Sequence, residues 1–288
     1  MRKRLQSKTA GVITGASTGI GKALAVLLAK KLQARLVINA RTAEALAETA
    51  DLIKKYGGEA VIHAGDVGDP GVAEELVSRC VAEFASIEFL VNNAGLAKPG
   101  TVLKLSPADW ERVFAVNFFA PLKGTYAALP HFLKNGFGKI VNISSIAGKV
   151  AFPGSVCYAA SKFALTGMSE GMAVELQGHG IDVITVCPGW VRTEFFVKNQ
   201  VADAKNPTLI AQRADLKGLI MKHVLSISSE QAAKDTYEAM QRGGGHEIIL
   251  TAPGIAVERI NALLPWVVSG MSKLVPTRVI DSLEEKKR

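Results

Sequence analysis

Cysteine and histidine are scarce in this chain, and the few that occur are not arranged in pairs. The sequence holds three cysteines, Cys80, Cys157 and Cys187, an odd number with no CxxC pair. A disulfide framework is therefore disfavoured, and we expect a protein of the reducing cytosol. The five histidines show no spacing typical of metal ligands, so we predict no metal site.

Long apolar runs, internal repeats and low-complexity linkers are also missing. The residues before the first predicted strand include Arg2, Lys3, Arg4 and Lys8 but no apolar stretch, so we expect no signal peptide. The net charge is +8, but the basic residues are scattered rather than interleaved with aromatic residues, which argues against nucleic-acid binding. The charge favours anionic partners, with ordinary solubility as the alternative.

What the chain does have is a series of short, near-continuous apolar runs that alternate with helical patterns. Strands that are apolar on both faces are typical of parallel sheets covered by helices on either side. With 48% hydrophobic residues and no linker, the 288-residue chain is predicted to form one α/β domain around a seven-stranded parallel sheet. The runs are Ala10 to Ile13, Leu36 to Ile38, Ala60 to Ile62, Phe89 to Val91, Ile140 to Ile143, Val183 to Val186 and Ile248 to Leu250.

A tyrosine and a lysine stand four positions apart, as Tyr158 and Lys162, and Ser145 precedes the tyrosine at the end of an apolar run. On a helix, residues at i and i+4 share a face, so the ammonium is expected beside the phenol oxygen. A charge about 4 Å away, at an effective dielectric of ~20, favours the phenolate by roughly 4 kcal/mol. We therefore predict that the lysine moves the phenol pKa from near 10 toward neutral pH, which makes Tyr158 a candidate general acid or base. The alternative is a lysine stem that covers an aromatic ring.

Three glycines lie between the first apolar run and a helical pattern, in the segment Thr14-Gly15-Ala16-Ser17-Thr18-Gly19-Ile20-Gly21. A strand, a glycine-rich turn and a helix N-terminus, in this order, place backbone N–H groups against a pyrophosphate. The spacing is Gly-x-x-x-Gly-x-Gly rather than Gly-x-Gly-x-x-Gly, and a turn with glycines for backbone reasons alone is the alternative. The segment is predicted to bind the phosphates of a dinucleotide.

The residues after the second predicted strand bear on which dinucleotide is bound. An NAD site needs a carboxylate about twenty residues past the glycines for the ribose 2′-hydroxyl, and this chain has none there. Arg41 follows Gly21 by twenty positions, and its guanidinium could hold a 2′-phosphate. We predict a preference for NADP(H), with a solvated surface arginine as the alternative.

From about Lys8 to about Leu250, several motifs resemble those of the short-chain dehydrogenase/reductase family and occur in the family's order. The resemblance implies a Rossmann-type doubly wound sheet with helices on both faces, in which residues 1–250 form the dinucleotide-binding catalytic domain. It also implies four cofactor contacts: a phosphate loop, an adenine-binding pair, a segment behind the ribose and a stretch beside the nicotinamide carboxamide. In that order the residues are Gly15, Ser17, Thr18, Gly19, Ile20 and Gly21; Asp66 and Val67; Asn93, Ala94 and Gly95; Pro188, Gly189, Val191 and Thr193.

The same resemblance assigns the chemistry to four residues. It implies hydride transfer between nicotinamide and a carbonyl or carbinol carbon, with Ser145 binding the substrate oxygen and Tyr158 transferring the proton. Lys162 would lower the phenol pKa and bind ribose hydroxyls, so Tyr158 and Lys162 also count as cofactor contacts. Asn117 would keep a water that reconnects the site to solvent.

Residues 251–288 extend beyond the last predicted strand, and their apolar side chains recur at helical spacing. Pro265 must kink this helix or begin a second one. The uncharged part, Ile260 to Ser272, is shorter than the ~20 residues that span a bilayer. We expect this C-terminal helical extension to dock on the pocket or on a partner subunit, with peripheral membrane contact as the alternative.

A second apolar segment is predicted to be a substrate lid, at residues 194–227, which ends before a helix capped by Ser228 with Gln231. An apolar lid and an apolar extension favour a lipophilic substrate, although such side chains could simply pack. The favoured function is an NADP(H)-dependent reductase of a lipophilic ketone or a 3-oxoacyl compound, active as a cytoplasmic homodimer or homotetramer. The alternatives are a dehydrogenase of a steroid-like or other secondary alcohol and a non-catalytic NADP-binding regulatory protein.

Overall fold

The computed structural model describes residues 3–192 and 226–273, and its centre is a sheet of seven parallel strands in the order β3-β2-β1-β4-β5-β6-β9. The predicted seven-stranded parallel sheet is confirmed, and every predicted apolar run overlaps one of its strands. The strand order reverses between β1 and β4, where open α/β sheets bind ligands beyond the carboxyl ends of the strands. The bounds are β1 (Ala10–Ile13), β2 (Arg35–Ala40), β3 (Glu59–Ala64), β4 (Phe89–Asn92), β5 (Gly138–Ile143), β6 (Ile181–Cys187) and β9 (Glu247–Ile249).

Helices cover both faces of this sheet, as the pattern of buried residues shows. Val12 and Ile13 are neighbours on β1 but belong to different hydrophobic clusters, because successive strand residues point to opposite faces. One cluster packs α1, α2 and α7 on the sheet, and the other packs α3, α5 and α6. The helices of the described residues are α1 (Gly19–Leu32), α2 (Glu44–Lys55), α3 (Val72–Phe84), α4 (Pro107–Phe114), α5 (Ala120–Asn135), α6 (Val156–Leu176), α7 (Ser229–Arg242), α8 (Ala252–Leu263) and α9 (Pro265–Lys273).

A small second sheet, which the sequence did not predict, lies beyond β6. Its parallel strands β7 (Trp190–Arg192) and β8 (Ser226–Ser228) flank the segment predicted to be a lid. Apart from the start of β8, that lid lies outside the described residues. The predicted cap by Ser228 is confirmed, because its Oγ accepts a hydrogen bond from the Gln231 N–H at 3.1 Å. The Gln231 side chain instead donates to Asp235 at 2.7 Å.

The chain beyond β9 forms two consecutive helices, α8 and α9. Of the two predicted possibilities, a kink and a second helix, the structure shows the second, because α9 begins at Pro265. Proline is favoured at the start of a helix since it lacks the N–H that a helix interior needs. Of the predicted apolar stripe, Leu263 is 79% and Leu264 46% exposed, whereas Val267 and Val268 are half-buried. The neighbouring Trp266 is 70% exposed. The end of the predicted stripe, Leu274 and Val275, lies outside the described residues. In the part of the chain that the structure describes, none of the helices is long and apolar enough to cross a membrane.

Candidate active site

Three of the predicted catalytic residues meet at the carboxyl edge of the sheet. Ser145 follows β5 and precedes a single 3₁₀ turn, Ile146–Gly148, while Tyr158 and Lys162 lie in the first two turns of α6. All three are buried, with Ser145 9%, Tyr158 7% and Lys162 3% exposed. The Lys162 ammonium lies 5.8 Å from the centre of the Tyr158 ring, so the two side chains share a face of α6.

The protonation of Tyr158 differs from the sequence prediction. Burial raises the pKa of Tyr158 to about 12, although a hydrogen bond from the Ser145 side chain lowers it in part. The predicted shift toward neutral pH is therefore wrong for this structure, because withdrawal of water penalises the phenolate more than the neighbouring groups stabilise it. A phenol with this pKa stays protonated near pH 7 and can donate a proton.

The position of Lys162 explains why its charge does not dominate the tyrosine. Its Nζ donates a hydrogen bond to the Ile143 carbonyl at 2.8 Å, at the end of β5. Burial lowers the pKa of Lys162 to about 8, because a desolvated ammonium is less stable than a hydrated one. With this pKa, Lys162 is mostly charged near pH 7 and loses its charge as the pH rises above about 8.

Asn117 lies in a π-helical turn, Ala115–Phe119, between α4 and α5, and is completely buried. Its Oδ1 accepts from the Leu96 N–H at 2.8 Å, and its Nδ2 donates to the Leu96 carbonyl at 2.8 Å. The same Nδ2 donates to Ser161 Oγ at 2.9 Å, which joins this turn to α6 next to Lys162. The predicted water relay stays a prediction, and Ser161 is a contact that sequence reasoning missed.

Cys187 is a second residue of this site that the sequence did not single out. Its sulfur accepts a hydrogen bond from the backbone N–H of Ser145, and it lies close enough to Tyr158 and Lys162 to influence the pKa of both. Burial, with the charge of Glu247, raises the pKa of Cys187 to about 12, so the thiol is neutral. No local motif marks this cysteine, because β6 brings it to the site from 42 residues after Ser145.

The glycine-rich segment forms a tight turn against the strand β4. Gly15 has φ 64, and a Cβ there would lie 2.8 Å from the Ala94 Cα. A Cβ on Gly21 would lie 2.4 Å from Asn93 Nδ2, an atom that donates to the Thr14 and Gly15 carbonyls, both at 3.0 Å. Only glycine fits these positions, so the backbone itself forms the surface of the turn.

The turn leads into the N-terminus of α1, which suits an anion. Thr18 is the N-cap, and in the described part of the chain its side chain does not cap the helix. The first turn, which contains Ile20, carries positive N–H groups and no acidic residue. The residues present therefore fit a bound phosphate, with Ser17 half-buried beside them.

Three residues that the sequence assigns to the adenosine end of the cofactor follow the strands β2 and β3. Arg41 is exposed and follows Asn39, whose carbonyl accepts from the Ala16 N–H of the glycine turn at 2.9 Å. Asp66 accepts from the Gly68 N–H at 2.9 Å, and its other carboxylate oxygen pairs with Arg112. Val67 is buried beside it. Arg112 was missed because it comes from α4, 46 residues along the chain.

Of the remaining predicted contacts, Pro188 and Gly189 directly follow β6. The Pro188 carbonyl accepts from the Ile146 N–H at 2.8 Å, one residue after Ser145. A Cβ on Gly189 would lie 2.2 Å from Thr251 Oγ1, so this glycine packs directly on the start of α8. Val191 lies in β7, Gly95 follows Asn93 and Ala94 after β4, and Thr193 lies outside the described residues. Among the described residues, no group of three or more His, Cys, Asp or Glu side chains could hold a metal ion.

The fold and this site together define a class of protein. A parallel α/β sheet carries a glycine-rich turn at its switch point and a buried serine, tyrosine and lysine beside it. The sequence pattern of the short chain dehydrogenase family matches residues 9–204, more than half of the chain. The protein belongs to the short-chain dehydrogenase family and is an oxidoreductase of that type.

Relatives support the assignment over most of the chain. SadH of Mycobacterium tuberculosis, named as an oxidoreductase, is 32% identical over 270 residues, which cover 93% of this chain and 94% of its own. HetN of Nostoc sp., named as a ketoacyl reductase, is 36% identical over 195 residues, which cover 67% of this chain and 68% of its own. The match to SadH thus reaches into the C-terminal extension.

Solved structures share the fold but differ in cofactor. A short chain dehydrogenase/reductase from Burkholderia phymatum, in complex with NAD, has TM-score 0.78 at 26% identity over 90% of this chain and 94% of its own. A metagenomic short-chain oxidoreductase, in complex with NADP, has TM-score 0.67 at 30% identity over 84% of this chain and 96% of its own. The choice between the two cofactors therefore depends on individual residues rather than on the fold.

Proposed function

We propose that this protein is an NADP(H)-dependent reductase that converts a lipophilic ketone or a 3-oxoacyl compound to a secondary alcohol. The observation that carries the proposal is the buried Tyr158 phenol, hydrogen-bonded to Ser145 and beside the Lys162 ammonium. A protonated, water-excluded phenol at the mouth of a dinucleotide crevice is suited to protonating an oxygen on which negative charge develops.

Each residue of the group has a part in that chemistry. Ser145 Oγ, which already accepts from the Ala147 N–H at 3.1 Å, donates its hydrogen to the substrate carbonyl oxygen. Tyr158 gives its proton to the same oxygen, and the Lys162 charge stabilises the phenolate that remains. A reduced nicotinamide, when bound in the crevice, supplies the hydride to the carbonyl carbon. The C=O bond thus gains a hydride at carbon and a proton at oxygen.

The phenolate must regain a proton before the next turnover. Asn117 is the residue proposed to hold the water for this step, and its side-chain amide is already bonded to Leu96 and Ser161. A relaying water would therefore bind the Asn117 backbone rather than its amide. The π-helical turn favours this, because such turns interrupt the regular helical hydrogen bonds and are frequent at functional sites.

The preference for NADP(H) rests on Arg41. Arg41 is exposed and lies directly after β2. The Asn39 carbonyl of the same strand accepts a hydrogen bond from the Ala16 N–H of the glycine turn. A guanidinium there can pair with a 2′-phosphate, whereas a 2′-hydroxyl needs a carboxylate. The metagenomic relative in complex with NADP supports this choice, although the Burkholderia phymatum relative was solved with NAD.

The direction and the substrate class follow from separate observations. A Tyr158 pKa of about 12 keeps the phenol protonated near neutral pH, which is the form that carbonyl reduction requires at the start of the reaction. The name of HetN, a ketoacyl reductase, supports a 3-oxoacyl substrate. The exposed apolar side chains of α8 and α9 add to the case for a lipophilic partner or substrate.

The proposal is tested by NADPH consumption, followed at its near-ultraviolet absorbance, with a panel of ketones and 3-oxoacyl thioesters. We expect turnover of at least one lipophilic member and a loss of roughly 100- to 10,000-fold in kcat for Tyr158→Phe, because the general acid is removed. Binding of NADPH, measured by fluorescence, should be unchanged. Tyr56→Phe at the end of α2 is the control, since that side chain lies against Lys30 and is outside the proposed site.

The cofactor assignment has its own variant in the same assay. Arg41→Asp should lower kcat/KM with NADPH by roughly 10- to 100-fold, because a charged hydrogen bond to phosphate is lost and a like charge is introduced. The value with NADH should stay equal or rise. Equal constants for both cofactors in the wild-type protein and the variant would refute the role of Arg41, and NADPH binding without turnover of any carbonyl would favour the regulatory alternative.

A further inference from the structure

The segment that carries Ser145 is held from several sides, and we call residues 145–150 the active-site loop. Within it the Gly148 N–H donates to the Ser145 carbonyl at 2.8 Å, and the Lys149 and Val150 N–H groups donate to the Ile146 carbonyl at 3.0 and 2.9 Å. These bonds shape the loop but do not anchor it to the body of the protein. One anchor is the Ile146 N–H, which donates to the Pro188 carbonyl at 2.8 Å, and the others involve Lys149.

Lys149 provides a second anchor, through its ammonium. Nζ lies 2.9 Å from Glu170 Oε1 on α6 and 2.8 Å from Glu247 Oε2 on β9. Burial lowers the pKa of Lys149, but the two carboxylates outweigh it and leave the pKa above its ordinary value. The lysine is half-buried and stays charged, so this contact is screened less by salt than a surface ion pair.

The backbone of the same residue provides a third anchor, on the C-terminal extension. Asn261 Nδ2 on α8 donates to the Lys149 carbonyl at 3.3 Å. Nearby, a Cβ on Gly254 would lie 3.7 Å from the Ile146 side chain, so the first turn of α8 also packs on the loop. The loop is therefore held between α6, β9 and α8, and two of these elements come from the end of the chain.

We propose that Lys149 is a positioning residue, which with Asn261 holds the active-site loop so that the Ser145 hydroxyl stays on the Tyr158 side of the crevice. This inference rests on the proposed function, in that Ser145 is taken to bind the substrate oxygen. It gives α8 a role in catalysis without contact with substrate. Displacement of a reacting group by about 1 Å can cost up to roughly 100-fold in rate, so a loosened loop should lower kcat.

The test compares Lys149→Met, Lys149→Arg and Asn261→Leu with the wild-type protein, with Lys234→Met on α7 as the matched control. Lys234 is exposed and its contact with Glu238 is 4.0 Å, so its loss should change nothing. Lys149→Met removes the charge and should lower kcat by roughly 10- to 100-fold while KM for NADPH stays within twofold. Lys149→Arg, which can still bridge two carboxylates, should recover most of kcat. Asn261→Leu leaves the ion pairs intact and should lower kcat by a smaller factor.

Amide hydrogen exchange supplies a readout that does not depend on turnover. The N–H groups of Gly148, Lys149 and Val150 should exchange faster in Lys149→Met and Asn261→Leu than in the wild-type protein. If the wild-type protein reduces no carbonyl, the proposed function fails, while faster exchange in these variants still supports the anchoring of the loop. Unchanged exchange, a kcat within twofold of wild type, or a loss that Lys149→Arg does not recover overturns the inference.

Discussion

At the scale of the residue, Lys162 shows how burial sets the chemistry of a side chain. An exposed lysine is charged at all physiological pH values, but this one is 3% exposed and its ammonium bonds to the Ile143 carbonyl. Desolvation lowers its pKa to about 8. The charge that stabilises the Tyr158 phenolate in the proposed reaction is therefore available only below that pH.

We expect kcat/KM for carbonyl reduction to fall as pH rises above about 8, toward a tenfold loss per pH unit, because the free protein loses the Lys162 charge. The measurement is a pH–rate profile from pH 6 to pH 10 with NADPH and the carbonyl both well below their KM, so that the rate reports on the cofactor-free protein. A profile that stays flat to pH 10 would show that this charge is not needed.

The titration of Lys162 does not destabilise the folded protein over this pH range. The pKa of Lys162 is lowered from 10.5 to about 8, so between these values the unfolded chain binds more protons than the folded one. Stability then rises with pH in this window as far as Lys162 contributes. Thermal unfolding at pH 7 and pH 9 separates a loss of activity from a loss of stability. Activity should fall at pH 9, whereas the titration of Lys162 should not lower the melting temperature.

At the scale of the element, the 3₁₀ turn Ile146–Gly148 packs directly on α6. A Cβ on Gly148 would lie 2.8 Å from the Lys162 carbonyl, from Ser144 Oγ and from Thr166 Oγ1. Ser144 Oγ and Thr166 Oγ1 are themselves 2.7 Å apart. The turn and the helix beside the proposed catalytic residues are therefore in contact through backbone and hydroxyl groups, with no space for a methyl group.

Gly148→Ala should lower both kcat and stability, because the added carbon must push the turn away from α6. We expect a loss of about 1–3 kcal/mol in the free energy of urea unfolding, as for other overpacked sites. Gly167→Ala, on α6 where nothing lies within 4 Å of the added carbon, is the matched control. It should raise stability by about 0.5–1 kcal/mol and leave kcat unchanged. Equal effects of the two substitutions would contradict this account of the turn.

The elements also show what local patterns can predict. Apolar runs identified the seven sheet strands, because the central strands are buried on both faces and so form near-continuous apolar runs. The strands β7 and β8 were not predicted. Each strand has only three residues, and the paired residues Trp190 and Ser226 are 36 positions apart in the chain. Such short and distant strands leave no local pattern in the sequence.

At the scale of the whole molecule, the edge of the sheet opposite the active site is held by a buried ion pair. Lys139 on β5 and Asp182 on β6 are register partners, and Lys139 Nζ lies 2.6 Å from Asp182 Oδ2. Asp182 Oδ1 accepts from the Gly244 N–H at 2.6 Å, just before β9. The Lys139 side chain is fully buried, so the pair joins β5 and β6 to the segment before β9 away from bulk water.

Asp182→Asn should destabilise the protein by about 3–5 kcal/mol, because it leaves a buried ammonium without its partner charge. Equilibrium unfolding in urea measures the loss. The double variant with Lys139→Met should recover most of it, since no buried charge then remains. Because the pair lies at the far edge of the sheet, kcat of the folded Asp182→Asn protein should match wild type; a loss below 1 kcal/mol would contradict the buried pairing.

The division between catalytic domain and extension stays a prediction at this scale. The sequence placed the boundary at residue 250, where the last apolar run ends. In the structure α8 begins directly after it and packs on Gly189 and on the active-site loop. We propose that residues 251–263 act as part of the catalytic body, whereas the exposed side chains of Leu263 and Trp266 mark where the extension leaves it.

The sequence alone determined the parallel sheet, the glycine turn before α1, and the shared helical face of Tyr158 and Lys162. These depend on periodicity and on backbone freedom, which are local properties of the chain. Tertiary structure alone decided that Cys187 meets the Ser145 N–H, that Asp66 pairs with Arg112, and that burial raises the pKa of Tyr158 instead of letting Lys162 lower it. Contacts between distant segments and the removal of water follow from packing, and no spacing along the chain encodes either of them.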